Sequence, residues 1–193
     1  MNIEKRSIVI LFVFFLSCGK NIKTVTKVEN MYSKIKKELA PDKRTELFDI
    51  QFHLLNGAII LKGETTSKKA LSRLQDSLKY SQVNFKSEVR ILPDSSLENR
   101  QFAIAKNSVI NIRSNPKHSA ELGTQGLLGM ALRVLDKKGD FYRIQTPDNY
   151  ISWVDKGGIQ RMNKRDFDLW NASKKVLFLF FLQILRPLFL IFQ

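Results

Sequence analysis

Five short runs in the second half of the chain, FAIAK, VINIR, MALRVLD, FYRIQT and YISWVD, are strand-like and lie between clusters of turn residues. Pro116, Gly129, Gly139, the Pro147-Asp148-Asn149 turn and the Gly157-Gly158 pair supply the breaks. Short strands at this spacing predict a small all-β, SH3-like barrel over residues 100–162. A unit of about 60 residues encloses only a thin core. Phe141 and Trp153 are therefore expected to fill it.

The first half has a different rhythm. VENMYSKIKKEL places Val28, Met31, Ile35 and Leu39 at helical spacing, and Pro41 ends that helix. LFDIQFHL then alternates, with Phe48, Ile50, Phe52 and Leu54 on one face and Asp49, Gln51 and His53 on the other. His53 is thus read as a surface residue. Asn56-Gly57 predicts a tight hairpin into AIILKGE. TTSKKALSRLQDSLKY offers a Ser/Thr cap and a Leu71, Leu74, Leu78 stripe, and a third strand follows with Val83, Phe85, Val89 and Ile91 on one face. The expected module is α+β, in the order helix, strand, strand, helix, strand over residues 28–94. LPDSSLENR is expected to be a polar linker.

The first residues read as an export signal covering 1–17. Lys5 and Arg6 precede an apolar run from Ile8 to Leu16, which ends at Ser17-Cys18. That run is too short to span a bilayer, which takes roughly 20 residues. Its end resembles a bacterial lipoprotein signal, in which the Cys takes a lipid on its sulfur and becomes the new N-terminus; Phe15 departs from the aliphatic residue usual there. The resemblance implies lipidation at Cys18 and a membrane-anchored protein of the cell envelope, outside the cytoplasm.

The net charge of +14 favours anionic partners, but the basic residues are scattered and no basic run exceeds two. Exported proteins rarely meet nucleic acid, so lipid or wall polymers are the expected partners. One Cys and two His exclude a zinc cluster, and no cofactor is expected.

NGAIILKGETTSKKALSRLQDSL, with Leu61-x-Gly63, resembles the BON domain, a small module of bacterial envelope proteins linked to phospholipid binding. The longer stretch from Ile110 to Ile159 resembles a bacterial SH3 (SH3b) domain of the kind that precedes the catalytic domain in Bacteroides-type NlpC/P60 cysteine peptidases. The motifs are Asn111-x-Arg113-Ser114-x-Pro116, Ser119-Ala120-Glu121-Leu122, Gly139-Asp140-Phe141-Tyr142, the Gln145-Thr146-Pro147-Asp148 turn and Tyr150-x-x-Trp153-Val154. Those peptidases cleave γ-D-glutamyl to diamino-acid bonds of wall peptides. Their SH3b domain uses a Glu and a Tyr to hold the free amine of the peptide. The resemblance carries those roles to Glu121 and Tyr150. A carboxylate and a phenol oxygen suit an ammonium. The alternative is a solvated Glu121 and a Tyr150 that packs the barrel. Gly123, Gly126, Asn149 and Ser152 depart from the residues usual in that family, and Arg113 is expected to be structural.

An NlpC/P60 peptidase needs a Cys activated by a His. No Cys follows Cys18, and His53 and His118 fall in the two accessory modules. The chain is therefore expected to be non-enzymatic: an envelope protein whose SH3b domain binds wall peptide or another envelope component. An inactive remnant of a truncated peptidase and a phospholipid-binding module are the alternatives. Residues 163–193 are expected to comprise an amphipathic helix, with Phe167 and Trp170 inward, and an apolar tail. That tail suggests a frameshifted end or a membrane anchor interrupted by Arg186-Pro187.

Overall fold

The computed structural model describes residues 24–176. The signal with Cys18 and the apolar tail beyond Val176 lie outside the described residues. A helix, α1, covers residues 24–39. Strands β1 (Phe48–Leu55) and β2 (Ala58–Thr65) form an antiparallel hairpin. Helix α2 (Lys68–Tyr80) then crosses to β3 (Phe85–Ile91), which pairs parallel to β2, so the sheet order is β1-β2-β3. Parallel neighbours require such a crossover.

Local chemistry accounts for each step. Asn56 and Gly57 have φ of 49° and 76°, as a hairpin turn with two left-handed residues demands. Ser67 caps α2 by accepting a hydrogen bond from the Ala70 N–H at 3.3 Å. Gly63 has φ of 136°, and a Cβ there would sit 2.1 Å from the Asp49 carbonyl oxygen. The Leu61-x-Gly63 pattern thus has a local structural reason: only glycine permits this approach of β1 and β2. Phe48, Ile50, Ile59 and Leu61 pack on Leu71, Leu74 and Leu78 of α2 and on Val28 and Ile35 of α1. Towards the hairpin tip the inward face opens, and Leu54 is exposed.

The second half holds seven strands: β4 (Phe102–Ala105), β5 (Val109–Arg113), β6 (Leu122–Leu127), β7 (Ala131–Lys138), β8 (Phe141–Gln145), β9 (Ile151–Asp155) and β10 (Ile159–Met162). Their order is β10-β4-β7-β8-β9-β5-β6. This corrects the expectation of a closed barrel: β10 and β6 are the two ends, and no pairing joins them among the described residues.

The core also differs from expectation. It is aliphatic, centred on Ile110, Ile112, Leu132, Val134, Ile144 and Val154. Phe141 and Trp153 are buried but lie outside this cluster. Alternation explains why: Val154 faces the core, so its neighbour Trp153 faces the other side of β9. There Trp153 stands opposite Arg143 of β8, whose guanidinium lies 4.6 Å from the ring centroid.

Helix α3 (Lys164–Ala172) lies against β4. Phe167 stacks on Phe102 with ring centroids 4.7 Å apart. Trp170 sits over Gly129, where a Cβ would come within 3.3 Å of the indole. Among the described residues no helix is long and apolar enough to cross a membrane.

The stretch expected to be a linker is instead part of the packing. Leu97 joins the core of the second half. Leu92 forms a small separate core with Leu135 and Ile151, against which Leu47 packs. The two modules are thus joined by apolar contact.

A candidate binding site at the junction of the modules

Residues 42–47 form a turn that docks on the β8–β9 hairpin. The Ile151 N–H donates to the Arg44 carbonyl at 2.6 Å, and Gln145 Nε2 donates to the Thr45 carbonyl at 3.1 Å. Deeper in the junction, Arg90 of β3 donates to Glu64 (2.8 Å), Asp94 (3.1 Å) and the buried Asp136 (2.8 Å). Arg143 donates to Glu64 through Nη1. Burial works against ionisation of Glu64, but the hydrogen bonds from Arg143 and Arg90 outweigh it and leave its carboxyl below the usual range. Hydrogen bonds to Asp136 and Glu64 raise the Arg90 guanidinium.

A cavity of about 390 Å³ opens beside this turn. Lys43 and Arg44 line one side, and Ser114, Arg143, Tyr150 and Trp153 line the other. The Tyr150 hairpin turn is internally braced: Thr146 N–H donates to the Tyr150 carbonyl at 3.0 Å, and Tyr150 N–H donates to Thr146 Oγ1 at 3.0 Å. Asn149 holds φ of 67° in this turn. Asn tolerates that conformation better than most residues, which accounts for its standing where glycine is usual.

The other departures have local reasons too. A Cβ on Gly123 would lie 2.7 Å from the Tyr150 hydroxyl. Gly123 is also the unpaired residue of a bulge, since Ile112 pairs Thr124 while Arg113 pairs Leu122. Gly126 leaves room for Met130 and Ile110. Ser152 is buried and donates to the Arg113 carbonyl. Arg113 in turn donates to the Ala120 carbonyl at 2.8 Å, a structural role.

The two sequence-predicted binding residues are placed differently. Tyr150 is half-buried and lines the cavity, and its hydroxyl makes no hydrogen bond with the described residues. Glu121 is exposed and is not a lining residue, but its carbonyl accepts from the N–H of Ser114, which is, at 3.0 Å. Its carboxylate has no partner among the described residues. Sequence reasoning missed Lys43, Arg44 and Arg143, because the turn and the barrel-like module meet only in three dimensions. Asp42 binds Arg44, whose hydrogen bond holds the carboxyl down to about 2.

Two other hollows are larger, and each holds an internal ion pair beside basic side chains unpaired among the described residues: Lys34 and Lys69 in the first, Lys68 and Arg133 in the second. The groove between α1 and α2, about 840 Å³, has Arg73 bound to Glu38 at 2.7 Å. The groove of about 780 Å³ beside Pro93 has Arg90 bound to Asp94. His53 and His118 are both exposed and belong to different modules; His118 Nε2 lies 3.6 Å from Asp155. Among the described residues no group of three His, Cys, Asp or Glu side chains could hold a metal ion.

No curated protein matches the chain. Residues 112–159, about a quarter of the chain, match the family described as the bacterial dipeptidyl-peptidase Sh3 domain, and the second module is in that respect similar to a bacterial SH3 domain.

Proposed function

We propose that the chain is a non-catalytic binding protein of the bacterial envelope. Its SH3-like module holds a short peptide of the cell wall at the Tyr150 cavity, with Glu121 at the rim taking the free amine. The observation that carries this reading is the unpartnered Tyr150 hydroxyl in a cavity of about 390 Å³, within a segment matching a bacterial SH3 family. The likeness to the domain that precedes NlpC/P60 peptidases supplies the ligand class. The lipoprotein-like signal ending at Cys18 supplies the location, a membrane anchor facing the wall. Binding rather than catalysis is supported by the sequence, whose one Cys falls at the end of that signal.

The test is co-sedimentation of the full chain with purified peptidoglycan, followed by titration with a wall tripeptide. Retention of wild type and loss with Tyr150→Ala support the reading. Glu121→Gln should weaken the tripeptide by roughly tenfold or more, since a charge-assisted hydrogen bond contributes about 1.5–3 kcal/mol. Equal retention of wild type and Tyr150→Ala would reject the site.

A further inference from the structure

The junction cavity presents donors and positive charge. Of its charged lining residues, Lys43, Arg44 and Arg143 are all cations. The carboxylates that pair with two of them, Asp42 and Glu64, do not line the cavity.

Arg143 is the best positioned of the three. Its side chain is only 16% exposed. Two contacts fix it: Nη1 on Glu64 and the guanidinium plane over Trp153. A guanidinium carries five N–H donors in a rigid fork. Its Nε and Nη2 groups make no hydrogen bond with the described residues. An immobilised guanidinium with open donors suits a planar oxyanion, above all a carboxylate. Lys43 is exposed, and its ammonium has no partner among the described residues. The Tyr150 hydroxyl adds a further free donor in the same lining as Arg44.

We propose that the junction cavity takes a carboxylate of a short peptide, with Arg143 and the Tyr150 hydroxyl as its hydrogen-bond donors and Lys43 as the nearby counter-charge. An ammonium placed in the same cavity would meet three cations. The amine of such a ligand therefore points outward, towards the rim that carries Glu121. The first module contributes Lys43 and Arg44, so the site is complete only when both modules are present. The inference rests on the reading that a peptide binds at Tyr150, but it does not depend on the grip of Glu121 on an amine.

The experiment is calorimetric titration of the full chain, in a nonionic detergent, with a wall tripeptide in three forms: unmodified, N-acetylated and carboxyl-amidated. At least tenfold weaker binding of the amidated form supports the carboxylate site, whether or not acetylation also weakens binding. Weakening by acetylation alone overturns the carboxylate site and leaves the amine reading standing. Equal binding of all three forms overturns both, as does no binding of the unmodified peptide at millimolar concentration.

Lys43→Gln should weaken the unmodified peptide about fivefold and leave the amidated form unchanged. The same loss for both forms would remove Lys43 from carboxylate recognition. Lys43 has no structural partner, so this variant stays informative if Arg143 variants fail to fold.

Discussion

On the outer face of the three-stranded sheet, Lys62 and Lys86 both reach Glu88, at 3.8 and 2.8 Å. On the helical side, Arg73 meets Glu38 at 2.7 Å and Lys79 meets Asp76 at 3.5 Å. At the junction cavity, by contrast, Lys43, the Tyr150 hydroxyl and two nitrogens of Arg143 have no partner among the described residues. Exposed pairs of the first kind contribute little, about 0–1 kcal/mol each, and leave nothing for a ligand. Convergent donors of the second kind are what a binding site needs. Both regions are basic, so net charge alone does not separate them; at the junction, open donors from both modules line one cavity.

If the modules are joined as the Leu92, Leu135, Ile151 and Leu47 cluster implies, a lesion in the first core should affect the whole molecule. Leu74 is fully buried. Leu74→Ala should cost about 3 kcal/mol through lost burial and a residual cavity. Denaturant unfolding followed by Trp fluorescence should report it, because Trp153 and Trp170 both lie in the second half. A fluorescence transition that does not move would show that the modules unfold separately.

Next in size is the junction network. Arg90→Ala removes the ion-pair partner of the buried Asp136 and should cost about 2 kcal/mol, less than a fully buried pair because Arg90 itself is half exposed. A loss no larger than that from an exposed pair such as Lys86–Glu88 would mean the network is only surface decoration.

Acid should act through the same network. Glu64 has its folded value lowered, so its stabilisation is present above the ordinary carboxyl value of about 4.3 and fades as pH falls through the folded value. Wild type should exceed Glu64→Gln by about 1 kcal/mol at neutral pH, and the gap should close as pH falls below the lowered folded value. A gap that stays constant with pH would assign the effect to packing.

The smallest stability change is expected at Gly123. Gly123→Ala should alter the fold by less than about 1 kcal/mol, because a phenol can swing away. The same change displaces the Tyr150 hydroxyl and should weaken peptide binding several-fold. Unchanged binding would free Tyr150 from its assigned role.

The hairpin at Asn56-Gly57 and the leucine stripe of α2 were legible because their signals are local: alternation, a turn dipeptide and helical spacing. Strand β6 was not, since LGTQGL carries two glycines and little strand propensity; it forms against β5, with Gly123 and Gly126 making room for neighbours. The aromatics were legible as buried but not as peripheral. Deciding which face of β9 meets the core required the pairing of Arg143 with Trp153. Tyr150 was singled out by motif. Its cationic surroundings were not, because Lys43 and Arg143 lie a hundred positions apart in the chain, and Arg143 binds Glu64 across 79.

The most direct test of the account is to map a wall tripeptide onto the isotope-labelled full chain by amide chemical-shift changes. The account predicts that signals from the turn at Lys43 and Arg44 shift together with those around Ser114, Gly123, Arg143 and Tyr150, while those of α2 stay in place. Shifts confined to the α1–α2 groove, or none at saturating peptide, would contradict it.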